Sequence, residues 1–118
     1  MSPDERSGIA TLNDLAVACL RVIGYVEGVS RSDLDRGNLL VSASCYQIAV
    51  MGEAVKRLSP ATRSKHPEVQ WKDIAGMRDR LIHGYDSIDM DELWKTATED
   101  VAALEQVRTI QSRDFGQR

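Results

Sequence analysis

The chain has 118 residues, with 15 Lys and Arg against 18 Asp and Glu for a formal charge of −3. That length suits one domain over residues 1–118, and 42% hydrophobic with 28% charged residues is too apolar for a disordered polymer. Aromatics at 5% and an isoelectric point near 5.3 argue against a β-sandwich, a stacked-ring nucleic-acid platform and a general basic clamp, while leaving room for a local one.

Cys19 and Cys45 have neither CxxC spacing nor neighbouring histidines, so they are expected as free buried thiols in a reducing, cytoplasmic setting. The charged N-terminus lacks the apolar stretch of a signal peptide. The longest uncharged run, 37–52, spans 16 residues, short of the roughly 20 apolar residues that cross a bilayer. No membrane association is expected.

In chain order, Ser2-Pro3-Asp4-Glu5 reads as a capping box with proline at the first helical position. Ile9, Leu12, Ala16, Cys19, Ile23 and Val26 then recur at helical spacing as one apolar stripe. Gly28, Ser30 and Ser32 break this first helix. A second helix fills Asn38 to Leu58, with a stripe of Val41, Ser44, Ile48, Met51, Val55 and Leu58. Ser59-Pro60 opens a new turn, and Pro67 separates it from a third long helix over Trp71 to His83. Gly84 is expected to end that helix in the left-handed conformation. Asp89 and Glu92 form the next capping box, stapled by Ile88 and Leu93. Leu93, Ala97, Val101, Leu104 and Val107 mark the last helix. With no alternating stretch, the fold class is all-α: four main helices joined by short loops, an up-down bundle. The uncharged 37–52 segment leaves the second helix with no face meant for water, so it is covered either by its neighbours or by a second chain. A homodimer is the expected arrangement.

Charge is uneven. Lys56 to His83 holds seven basic residues against three acidic ones, a local +4 within the overall −3. Solvated helix faces account for this as well as a polyanion-binding patch does. Inside it, Arg78-Asp79-Arg80-Leu81-Ile82-His83-Gly84-Tyr85 gathers two guanidinia, a carboxylate, an imidazole and a phenol at one helix end. At about 100° per residue, Arg78 and His83 stand about 140° apart on the helix. From spacing alone, His83 is either a surface histidine stabilised by the helix dipole or a catalytic one. His66, before Pro67, looks incidental.

The blocks Met51-Gly52-Glu53-Ala54-Val55-Lys56-Arg57-Leu58 and Trp71-Lys72-Asp73-Ile74-Ala75-Gly76-Met77-Arg78-Asp79, running into Leu81-Ile82-His83-Gly84-Tyr85, resemble the HepT family, part of the HEPN superfamily of small helical ribonucleases. The resemblance covers residues 9 to 110. Its signature, an arginine, four residues, then His-x-Tyr, is matched by Arg78, His83 and Tyr85. It implies a homodimeric four-helix bundle that cleaves RNA (tRNA or mRNA) without a metal or other cofactor, with Arg78 and His83 in the site. In such a site an RNA 2′-hydroxyl attacks the adjacent phosphate, His83 moves a proton, and Arg78 stabilises charge on the phosphate. Asp79 orients either partner or pairs with Arg80. Arg80 and Lys72 are candidate RNA contacts. For Tyr85 the resemblance implies modification. A minimal nucleotidyltransferase antitoxin of the MntA type adds AMP to the hydroxyl, placing charge and bulk beside an anion site.

The expected function is therefore the toxin subunit of a toxin–antitoxin pair. Its alternative is a non-catalytic substrate-binding or regulatory subunit of a two-component nucleotidyltransferase. Glu53 either supports the arginines or pairs with Arg57 one turn on. Trp71 and Trp94 are expected to anchor packing.

Overall fold

The computed structural model describes residues 2–35 and 38–106, without the side chains of Asp4, Glu5 and Ser7. Helix α1 (Pro3–Val26) starts at the expected proline; the side chains of the capping box lie outside what is described. It stops at Gly28, whose φ of 72° is the left-handed conformation that ends many helices and costs glycine little. The centre of its buried face runs through Leu15, Ala18, Cys19 and Val22. That is roughly a quarter turn from the stripe read off the sequence, whose members Leu12, Ile23 and Val26 are only partly buried. The reason is that α1 meets two neighbours, α2 and the chain near Thr96–Asp100, so its face lies between them. By length and composition alone, 8–26 would also pass for a membrane-crossing helix; here that stretch packs its Leu15–Val22 stripe into the protein core.

Helix α2 (Leu39–Arg57) is capped by Asn38, whose side chain accepts from the Val41 amide at 2.9 Å. It lies between α1 and α4 (Trp71–His83) and buries Val41, Ile48, Met51 and Val55 completely or nearly so. One face remains uncovered, however: Leu39 is 84% and Tyr46 66% exposed. The uncharged helix is thus only partly covered by its own chain. Ser59 caps the short α3 (Pro60–Ser64), accepting from the Thr62 amide. The following loop is tied down by Trp71, whose indole N–H donates to the carbonyls of both Arg63 and His66 at 3.0 Å. His66 takes part through its backbone carbonyl, a role open to any residue, while its imidazole lies 3.5 Å from Glu68.

Helix α4 occupies the expected residues and contributes Ile74, Met77 and Leu81 to the core. Gly84 ends it with φ −160°, which is extended backbone. The expected left-handed cap is replaced by the Gly84 amide donating to the Arg80 carbonyl at 2.8 Å. Tyr85–Ser87 form a single 3₁₀ turn. Asp89 then caps α5 (Met90–Lys95), accepting from the amides of Asp91 and Glu92. The staple residues Ile88 and Leu93 are both buried. The Glu92 carboxylate turns to Arg80 at 3.1 Å, leaving the capping box with only its Asp89 half.

Beyond Lys95 the helix takes a π turn at Thr96–Asp100 before resuming α-helical hydrogen bonding to Gln106. One extra residue enters the turn, which a regular period cannot forecast. Ala97, Val101 and Leu104 are still buried; Val107 lies outside the described residues. The four long helices make an all-α bundle, and no strand occurs among the described residues. Its centre is Val22, Ile48, Met51, Ile74, Met77, Leu93 and Val101, each at most 1% exposed, and each contributes about 1.5–3 kcal/mol by leaving water. Cys19 and Cys45 are buried thiols not joined in a disulfide, as expected.

Candidate active site between the second and fourth helices

Arg78 is placed by a glycine on another helix. A Cβ added at Gly52 would stand 2.2 Å from the Cβ of Arg78 and 3.1 Å from the Ile74 carbonyl. Only the missing side chain lets α4 lie this close on α2. The close approach sets Glu53 and Lys56 of α2 against Arg78 and Asp79 of α4.

The four side chains alternate in charge. Arg78 Nη2 meets Glu53 Oε2 at 2.9 Å and its Nη1 meets Asp79 Oδ1 at 3.0 Å, while Lys56 Nζ pairs with the same Asp79 oxygen. The Lys56 hydrogen bond, followed by that from Arg78, holds the Asp79 carboxyl below the ordinary carboxylate range. Asp79 is therefore anionic at neutral pH, and the Arg78 guanidinium is clamped from both sides with 24% of its side chain exposed. Two of its five N–H donors are used in these contacts. Others remain for a ligand, and a planar guanidinium suits phosphate oxygens.

This arrangement decides two pairings that the sequence left open. Glu53 pairs with Arg78 and not with Arg57, which reaches across to Asp14 of α1 at 3.3 Å. Asp79 pairs with Arg78 and Lys56, while Arg80 is taken by Glu92. Lys72 is exposed in the first turns of α4. At about 100° per residue it shares a helix face with Asp79 and His83.

His83 is exposed in the last turn of α4. Two hollows open between α2 and α4, on either side of Tyr46. One, of about 340 Å³, is lined by Arg78, Glu53, Arg57 and Ile82. The other, of about 410 Å³, is lined by Tyr85, Leu81, Ile82 and Ser42. Tyr46 borders both, and His83 lines neither. Arg78 and Asp79 are thus brought together and Tyr85 lies one hollow away. His83, about 140° round the helix from Arg78, lines neither hollow. Sequence reading missed the seat at Gly52, the Lys56 contact and the exposed Tyr46. The first two had a signal in the one-turn spacing of Gly52 and Lys56, but nothing in the sequence said which helix they would meet. Among the described residues, no three His, Cys, Asp or Glu side chains cluster as metal ligands would.

A family model described as Ribonuclease HepT-like matches residues 15–109. A protein of Caldanaerobacter subterraneus subsp. tengcongensis, described as a candidate RNase, is 36% identical over 104 residues, covering 87% of this chain and 93% of its own length. A protein of Thermococcus cleftensis, described as a probable ribonuclease HepT, is 41% identical over 100 residues, covering 85% of this chain and 91% of its own. No solved structure matches. With a family match over most of its length and relatives that carry the ribonuclease name, the chain belongs to the HepT-like ribonuclease family of the HEPN superfamily.

Proposed function

We propose that the protein is a ribonuclease acting as the toxin of a toxin–antitoxin pair, with Arg78 and His83 as its catalytic residues. The observation that carries this reading is the clamped, part-exposed Arg78 at the edge of an open hollow. A guanidinium held in one orientation stabilises the charge that develops on a phosphate without reorganising during the reaction. The 2′-hydroxyl of the RNA attacks the neighbouring phosphorus, His83 accepts its proton, and the leaving 5′-oxygen is protonated in turn. Asp79, kept anionic by Lys56 and Arg78, is a positioning residue.

Within one chain, Arg78 lines the hollow of about 340 Å³ and His83 does not. A two-fold homodimer closing over the uncharged α2 face, with Leu39, Ser42 and Tyr46 inside it, brings Arg78 of one subunit toward His83 of the other, whose imidazole takes the proton and then returns one to the leaving oxygen. Mixing Arg78→Ala with His83→Ala subunits tests this arrangement: partial return of cleavage is expected, and no return assigns each site to one chain.

Tyr85, 37% exposed at the rim of the second hollow, is the site where a nucleotidyltransferase antitoxin adds AMP. The added negative charge repels RNA from the cleft. Incubating the protein with RNA beside the His83→Ala variant tests the activity. Loss of cleavage in the variant is the expected result, whereas equal behaviour leaves a non-catalytic partner subunit as the function. Phenylalanine at position 85 is expected to abolish AMP addition, read as a mass increment.

A further inference from the structure

The geometry points to Arg57 as a second RNA-phosphate contact, seated beside Arg78 in the same hollow and holding the phosphate next to the one that reacts. This rests on the ribonuclease reading of Arg78. Arg57, Arg78 and Glu53 all line the hollow of about 340 Å³ between α2 and α4. Glu53 and Arg57 are four residues apart on α2, so their side chains share a face one helical turn, about 5.4 Å, apart. Glu53 is committed to Arg78. Arg57 is thus rooted one turn along α2 from the carboxylate that holds Arg78, and released from Asp14 its long side chain can serve a phosphate neighbouring the one at Arg78. Tyr46, Ile82, Val50 and Ala49 complete the lining, so no second carboxylate opposes the anion inside it.

Arg57 is also easily released. Its partner is Asp14 of α1 at 3.3 Å, with side chains 49% and 61% exposed. Pairs of this kind contribute little and are screened by salt. A phosphate arriving in the hollow need only displace this contact. Arg57 would touch a phosphate that does not react, so it binds ground state and transition state alike. Its removal should act on KM and spare kcat.

The test is steady-state cleavage of a short oligoribonucleotide by wild type, Arg57→Ala, Arg57→Lys and Asp14→Asn, with binding of the same labelled RNA to His83→Ala backgrounds across a salt series. Arg57→Ala should raise KM about tenfold, the loss of one charge-assisted contact, with kcat within about twofold. The slope of log affinity against log salt should fall by about 0.7, one phosphate on a single strand. Arg57→Lys should recover part of the affinity, and Asp14→Asn should lower KM.

That last sign separates RNA contact from structure. A mere α1–α2 tether requires Asp14→Asn and Arg57→Ala to act in the same direction, and that result overturns the proposal. So does a fall in kcat at constant KM, or a sedimentation shift in Arg57→Ala showing that a second copy fills the hollow. If wild type and His83→Ala cleave equally, the ribonuclease reading fails by itself, while the salt slopes still decide whether Arg57 contacts RNA.

Discussion

On the α2 side of α4, Asp79 is about half exposed and sits between two cations, Lys56 and Arg78; on the α5 side, Asp100 is 3% exposed with Lys95 beside it, a lysine it shares with Asp73. The first carboxyl is pulled below its ordinary range by its hydrogen bonds. The second is pushed above it, because burial outweighs the opposing hydrogen bond and charge of Lys95. Lys95 is itself raised, chiefly by Asp100. An ion pair therefore does not fix the sign of a shift; what water can reach does. Every member of the Asp79 cluster is within reach of water, whereas in the other cluster Asp100 alone is buried and half-exposed Lys95 links it to Asp73 of α4.

Disabling the open cluster should therefore cost activity, and disabling the one built on buried Asp100 should cost stability. The largest expected effect is on cleavage: Arg78→Ala or His83→Ala should lower kcat/KM by about 100-fold or more, at unchanged circular dichroism. Lys95→Met should leave cleavage near wild type. Next, Gly52→Ala should destabilise by about 1–3 kcal/mol in denaturant titrations, since α4 must be pushed off α2. Lys95→Met should cost about 1–2 kcal/mol at neutral pH, having left Asp100 buried beside no cation.

The smallest effects have opposite signs and sharpen the comparison most. Asp79, with its lowered value, stabilises the fold above the ordinary carboxylate range, near 3.8, and that contribution is lost as pH falls through its folded value. Asp100, with its raised value, favours the fold when protonated, and that contribution is lost as pH rises through its folded value. Thermal melts of Asp79→Asn should lie below wild type at pH 7 and those of Asp100→Asn above it. Both gaps should close in acid. Two shifts of the same sign would show that the clusters do not differ.

Most helix limits were legible because their signals are local. Asn38, Ser59 and Asp89 cap the helices they precede, and Gly28 ends the one before it. The rest depended on tertiary contact. Which quarter of α1 faces inward is decided by its two neighbours, and the π turn at Thr96–Asp100 absorbs a residue that keeps the apolar order of the last helix unchanged. At the site, the residues Arg78, Asp79, His83 and Tyr85 could be marked in sequence, but their partners could not. Glu53 had Arg57 one turn away on its own helix and Arg78 on another, and only the packing chose between them. Tyr46 gave no local sign of being left uncovered.

The contact between Gly52 and Arg78 also has a consequence for how such chains diverge. The two positions, 26 residues apart, cannot drift independently. A side chain arriving at 52 must part the helices, and the guanidinium then loses its seat against Glu53. In a descendant of this protein, a bulky residue at 52 would therefore mark a displaced fourth helix even where the arginine itself had survived.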